Sequence, residues 1–283
     1  MEDQLVYTVR ELCMSFANIM VHFDLEHAND TCLRIAIDLA DKFDAKLIGI
    51  AAATGQSSHY EDEAITQMPL RELYSDITKR LAQTEDRFRT KSSPRQVEWR
   101  SAIARPVDYI SREARAADLI LVGARRDGLS DLAGSLDPGD LVMRVGRPVL
   151  VIPSKVDTFN LKLAMICWKD TREARRAVSD ALPLLSKVQE IVVVEVIEAE
   201  SSRDAAHARV DDVISWLKRH GIAAFARVFH CPMGEDRMEK LFQYGADVIV
   251  AGAYGHTRLR EWVFGGFTYD LLHHSPVCAL LVH

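Results

Sequence analysis

Near the carboxyl end of this 283-residue chain, four glycines stand at a spacing that can do chemistry. Gly252, Gly255, Gly265 and Gly266 set out the pattern G-x-x-G, nine residues, then G-G-x-T, where Phe267 is the x and Thr268 the hydroxyl residue. Glycine tolerates positive φ and carries no Cβ, so bare backbone amides can be brought against an anion. Val248 to Gly252 reads as a buried strand, and the glycine pair opens FTYDLLHH, a short helical phrase stopped by Pro276. A helix start offers unpaired N–H groups and a partial positive charge, which together favour phosphate. His256, Thr257, Arg258 and Arg260 lie inside the loop and could add contacts to phosphate; a solvated loop face is the plain alternative.

The chemistry is that of binding. The chain shows no Ser-His-Asp order, no carboxylate pair in a motif and no lysine in a phosphate loop, so nothing identifies a catalyst. His220, His230 and Cys231, or His273, His274 and His283, lack the local spacing of a structural zinc site, and the expectation is that no metal is held. Cys167 and Cys278 sit in apolar strand-like runs, where a thiol behaves as a small core hydrophobe.

The glycine pattern is neither G-x-x-x-x-G-K-[ST] nor the dinucleotide pattern G-x-G-x-x-G, which follows the first strand of a domain rather than a late one. It resembles the nucleotide-binding loop of the universal stress protein family, whose usual form is G-x-x-G, nine residues, G-[ST]. The words GHTRLRE and FGGFT, and a final short strand after a proline, are similar to that family too. Gly266 departs from it, standing where the family has a hydroxyl residue. The resemblance implies an adenine nucleotide in the C-terminal half, with ATP, alone or with Mg, as the cofactor. It also implies an acidic residue after the half's first strand and an apolar one in a phrase like EVIE at the nucleoside, places matched by Asp170 and Val196. The implied contact set is therefore Asp170, Val196, Gly252, Gly255, His256, Arg258, Gly265, Gly266, Phe267 and Thr268. Trp168 and Lys169 stand where the family more often has proline or small residues.

The elements that must position these residues read as strands alternating with helices. Ile19–Phe23, Lys46–Ala52, Gln96–Ile103, Leu119–Val122 and Val149–Ile152 are apolar strand-like runs, with helical periodicity over 31–43 and 70–89 and a proline-started helix at Pro106. The second half repeats the order: strand Leu163–Trp168, helix Thr171–Leu185, strand Ile191–Ile197, helix Ala205–His220 stopped by Gly221, strand Ile222–Phe229, helix Pro232–Tyr244 and strand Val248–Val250. Such alternation calls for α/β architecture with parallel sheets covered by helices. The halves also share words: Ala117-Asp118-Leu119-Ile120 answers Ala246-Asp247-Val248-Ile249, and Pro148-Val149 answers Pro276-Val277. We read a tandem duplication, with residues 1–155 as one domain and 156–283 as the other. The resemblance implies that each is a Rossmann-like open sheet of the adenine nucleotide alpha hydrolase kind, with strand order 3-2-1-4-5. It further implies that the fifth strands meet in an intramolecular pseudo-dimer, with homodimerisation of whole chains as a further option.

The duplication lets each loop serve as a control for the other. Arg126 stands where the second copy has Gly255, and Asp137-Pro138 falls near the place of the glycine pair. The first copy therefore reads as a degenerate nucleotide loop, in which Gly123 and Gly139 serve turn geometry.

Composition narrows the partners. A net charge of −6 with no concentration of Lys and Arg argues against nucleic acid, which wants a basic face. No apolar run reaches the length needed to cross a bilayer, and Glu2 and Asp3 stand where a secretory signal would be positive, so a cytoplasmic protein is expected. Three functions remain open: a nucleotide-binding stress-response protein, an adenine-nucleotide hydrolase or ligase, and a ligand-free interaction protein whose glycines serve only structure.

Overall fold

A computed structural model describes residues 15–25, 30–54, 70–124, 136–232, 236–254 and 266–283. These residues form two compact units, 17–154 and 155–283, the second also taking in Ser15 and Phe16.

In the first unit the chain alternates β1 (Asn18–His22), α1 (Asp30–Phe43), β2 (Lys46–Ala53), α2 (Leu70–Ser92), β3 (Val97–Ile103), α3 (Pro106–Glu113), β4 (Leu119–Gly123), α4 (Pro138–Val145) and β5 (Val149–Ile152). The strands lie in the order β3-β2-β1-β4-β5, every pair parallel. Parallel neighbours need crossovers, and the helices that provide them bury both faces of the sheet. That is why β1, β4 and β5 are apolar at consecutive positions, with Ile19, Met20, Val21, Leu119 to Val122 and Val149 to Ile152 almost wholly buried. Helix α1 turns Leu33, Ala36, Leu39, Ala40 and Phe43 inward at helical spacing.

The second unit repeats this with β6 (Leu163–Trp168), α5 (Arg172–Asp180), α6 (Leu182–Leu185), β7 (Glu190–Ile197), α7 (Arg203–Arg219), β8 (Phe225–His230), α8 (Arg237–Phe242), β9 (Val248–Gly252), α9 (Phe267–His273) and β10 (Cys278–Val282). Its order, β8-β7-β6-β9-β10, is again parallel throughout. The helix expected over 171–185 is broken at Ala181 into α5 and α6. Pro183 is the cause, since its ring clashes with the carbonyl four residues earlier and it has no N–H to continue the ladder. Helix α8 starts later than Pro232, at Arg237, because Asp236 accepts from the Met238 and Glu239 amides at 2.8 and 3.1 Å and fixes the N-cap there.

The shared Ala-Asp word has one structural role in both units. Asp118 Oδ2 accepts from the amides of Ala17 and Asn18, each at 2.9 Å, and so holds the start of β1 beside β4. Asp247 Oδ2 accepts from Lys162 and Leu163 at 2.8 and 2.9 Å and holds β6 beside β9 in the same way.

Candidate functional site

A parallel open sheet gathers ligands at the carboxyl ends of its strands, beside the strand where the order reverses. In the second unit that strand is β6. A cavity of about 530 Å³ opens there, walled by Trp168 at the end of β6 and Lys169 after it, Glu195 and Val196 on β7, Gly252 at the end of β9, and Phe267 and Thr268 at the start of α9. Its size falls within the range of small-molecule sites.

Close packing makes this wall possible. A Cβ on Gly252 would stand 2.5 Å from the Ala174 amide nitrogen and 2.5 Å from the Glu173 carbonyl carbon. Only a residue without a side chain lets β9 end directly against the first turn of α5. Two residues on, Tyr254 adopts φ 58°, a left-handed conformation that costs a non-glycine residue about 1–2 kcal/mol. Its amide donates to Thr268 Oγ1 at 3.3 Å, and Thr268 is 2% exposed. The Thr268 hydroxyl thus ties the end of β9 to the start of α9 while lining the cavity.

The two units differ at the cap of the helix that precedes the last strand. In the first unit Asp137 is the N-cap of α4, its Oδ1 accepting from the amides of Gly139 at 2.7 Å and Asp140 at 3.4 Å. The protein's own carboxylate therefore occupies the spot that suits an anion. The N-cap of α9 is Gly266, at φ −76° and ψ 155°, and it supplies no side-chain cap. Gly139, expected at a turn, lies inside the first turn of α4, buried and donating to Asp137.

Two of the arginines at the cavity are held by carboxylates. Arg209 on α7 meets Glu195, with Nε 3.1 and 3.2 Å from the two carboxylate oxygens and the Nη2 donor closer still. The hydrogen bond to Glu195 is the first cause of the raised Arg209 pKa. Arg237 pairs with Glu198 across the same rim. Cys167, also on the lining, has its thiol pushed up to about 12 by burial, so it stays protonated at neutral pH.

The structure brings Val196, Gly252, Phe267 and Thr268 to one cavity and sets Gly266 directly before them. Gly255, His256, Arg258 and Gly265 lie outside the described residues. Asp170 is placed elsewhere: it pairs with Arg175 and lines a neighbouring groove rather than the cavity. Register explains this. Ile19, Met20 and Val21 pair with Leu119, Ile120 and Leu121, as Ala164, Met165 and Ile166 pair with Val248, Ile249 and Val250. Carrying that register forward sets Phe23 against Trp168 and Asp24 against Lys169. The acidic position of the first unit is thus lysine in the second, and Asp170 sits one step beyond it. Lys169, Glu195 and Arg209 were absent from the sequence-derived contact set. The reversal at Lys169 was open to strand alignment, but nothing local marks Arg209, which reaches Glu195 only through the packing of α7 on β7.

Among the described residues no three His, Cys, Asp or Glu side chains gather so as to hold a metal ion, and no helix is long and apolar enough to cross a membrane.

Comparison with known proteins follows the same lines. Residues 15–153 match the model of the universal stress protein family. Among solved structures, a universal stress protein from Archaeoglobus fulgidus DSM 4304 is similar at TM-score 0.70 and 12% identity, over 94% of this chain and 95% of that one. A functionally unknown protein from Pseudomonas aeruginosa PAO1 is similar at TM-score 0.58 and 14% identity, over 96% of this chain and 94% of its own. No curated protein matches significantly.

Proposed function

We propose that this chain, whose residues 15–153 match the universal stress protein family, is a stress-response protein of that family binding one adenine nucleotide, ATP with or without Mg, in its second unit. The observation that carries the reading is the cavity of about 530 Å³ at the carboxyl ends of β6 and β7, closed on one side by Gly252, Phe267 and Thr268. The base and ribose lie against Val196 and the end of β6. The phosphates run toward the glycine region, where Gly266 leaves amides uncapped and Lys169 supplies a cation. The first unit binds none, since Asp137 already caps the corresponding helix with a carboxylate. The protein works in the cytoplasm, and no residue in the cavity is assigned a catalytic role.

Gly266→Asp tests this directly, because it copies into the second unit the cap that Asp137 makes in the first. The backbone of Gly266, φ −76°, accepts aspartate without strain, so the variant should fold. Calorimetric titration with ATP should give one equivalent for the wild type and affinity lowered at least about tenfold in the variant, as expected of a charge-assisted hydrogen bond lost and a like charge gained. Two equivalents per chain, or unchanged affinity in Gly266→Asp, would overturn the reading. Mass spectrometry of small molecules released on denaturation should show a nucleotide.

A further inference from the structure

The carboxylates on the lining of the cavity are already engaged. Glu195, 8% exposed, receives the Arg209 guanidinium on both of its oxygens, and Glu198 receives Arg237. The two threonine hydroxyls of the lining also serve the protein itself: Thr171 accepts from the Ala174 amide at 3.2 Å and Thr268 from the Tyr254 amide at 3.3 Å. Asp170, the nearest carboxylate along the chain, turns to Arg175 and lines the neighbouring groove. Magnesium asks for a different set. It takes oxygen ligands in near-octahedral geometry and is bound through one or two carboxylates together with the phosphates of its nucleotide. Here each carboxylate of the lining comes with an arginine, whose charge repels a divalent cation.

Lys169 stands apart from these pairs. It lines the cavity just past the end of β6, exposed, and among the described residues no acceptor holds its ammonium group. The lining carries Lys169, Arg209 and Arg237 against Glu195 and Glu198, which leaves a single positive charge, and the unpaired cation is Lys169. The stretch between Gly252 and Gly266 adds Arg258 and Arg260 against Glu261. In the first unit the same register position is Asp24, so the second unit has reversed the charge at the carboxyl end of its central strand.

We propose that Lys169 is the specificity-determining residue of the cavity and selects a nucleotide whose phosphates carry no metal, its ammonium group standing where a magnesium ion would otherwise neutralise them. This role rests on the nucleotide reading and narrows its ligand to the metal-free polyanion. Lysine brings a compact charge on a flexible stem, which suits phosphate oxygens without demanding a fixed geometry. Magnesium cancels part of the negative charge of ATP, and with it part of the attraction to an ammonium group at the mouth of a cavity. Magnesium and Lys169 therefore compete for the same phosphates.

Calorimetric titrations with ATP and with adenosine, each in chelator and in excess magnesium, test this on the wild type, Lys169→Met and Lys169→Asp. Lys169 is exposed, so both variants should fold, and an unchanged affinity for adenosine verifies that they do. In the wild type, magnesium should weaken ATP by about threefold or more, a part of what a charge-assisted hydrogen bond is worth. Lys169→Met should lower ATP affinity in chelator by about three- to tenfold, the range of one hydrogen bond, and bring the affinities with and without magnesium together. Lys169→Asp, which copies Asp24 of the first unit, should invert the effect, so that magnesium tightens ATP. Magnesium that tightens ATP in the wild type, a magnesium effect equal in the wild type and Lys169→Met, or adenosine weakened as much as ATP by Lys169→Met overturns the role of Lys169 and leaves the nucleotide reading standing. Binding of neither ATP nor adenosine to the wild type overturns the nucleotide reading, and this role with it.

Discussion

A single missing side chain sets the properties of two residues at this site, for different reasons. At Gly252 the reason is space. The backbone of Glu173 and Ala174 stands where a Cβ would go, so Gly252→Ala should lower stability by about 1–3 kcal/mol in urea unfolding, the usual cost of overpacking. At Gly266 the reason is chemistry, because its backbone conformation suits any residue. Gly266→Ser should stabilise the protein by a few tenths of a kcal/mol through capping. It should also tighten ATP by up to about tenfold, the range of one added hydrogen bond, read by the same calorimetry as the wild type. His22 is a third case, on β1 of the first unit. Burial pushes its pKa down to about 4, with Asp24 acting in the opposite sense. Its neutral form is favoured in the folded state, so its contribution is complete above the unfolded value of 6.5 and is lost as pH falls toward 4. Between pH 8 and pH 5 this removes about 2 kcal/mol, and the loss should disappear in His22→Leu when the pH series of urea midpoints is repeated.

At the scale of elements, the two units are built by the same devices and differ in how their helices are finished. Asp118 and Asp247 each accept two strand-start amides. Asp118→Ala and Asp247→Ala should therefore each cost about 2–3 kcal/mol, since hydrogen bonds to a charged group are worth roughly 1.5–3 kcal/mol. Amide hydrogen exchange should localise each loss to its own unit; equal loosening of both units by either change would contradict the assignment. The strand and helix order was legible because buried parallel strands are continuous apolar runs and helices carry a 3.6-residue stripe. The break at Ala181 was legible in principle from Pro183, yet the periodicity of 171–185 runs across it. The capping contrast between Asp137 and Gly266 was visible in the sequence as charge, but only the structure shows that the carboxylate is spent on α4's own amides.

For the whole molecule, the asymmetry between the units gives the last prediction. ATP at about one hundred times its dissociation constant should stabilise the unit that binds it by about 2.7 kcal/mol. Protection from hydrogen exchange should rise across β6, β7 and β9 and remain unchanged across β1, β2 and β4; a rise in both sets would mean that the first unit also binds. The sequence by itself determined the repeated order of strands and helices, the α/β class and the glycine pattern, because repeated words, strand runs and glycine spacing are local properties of the chain. Tertiary structure alone decided which side chains face the cavity. Asp170 is one residue out of register with Asp24, and in an extended chain one residue turns a side chain to a different neighbour. Arg209, fourteen positions after Glu195, meets it only because α7 packs back on β7. Contacts of that kind arise from packing between elements, and no spacing along the chain records them.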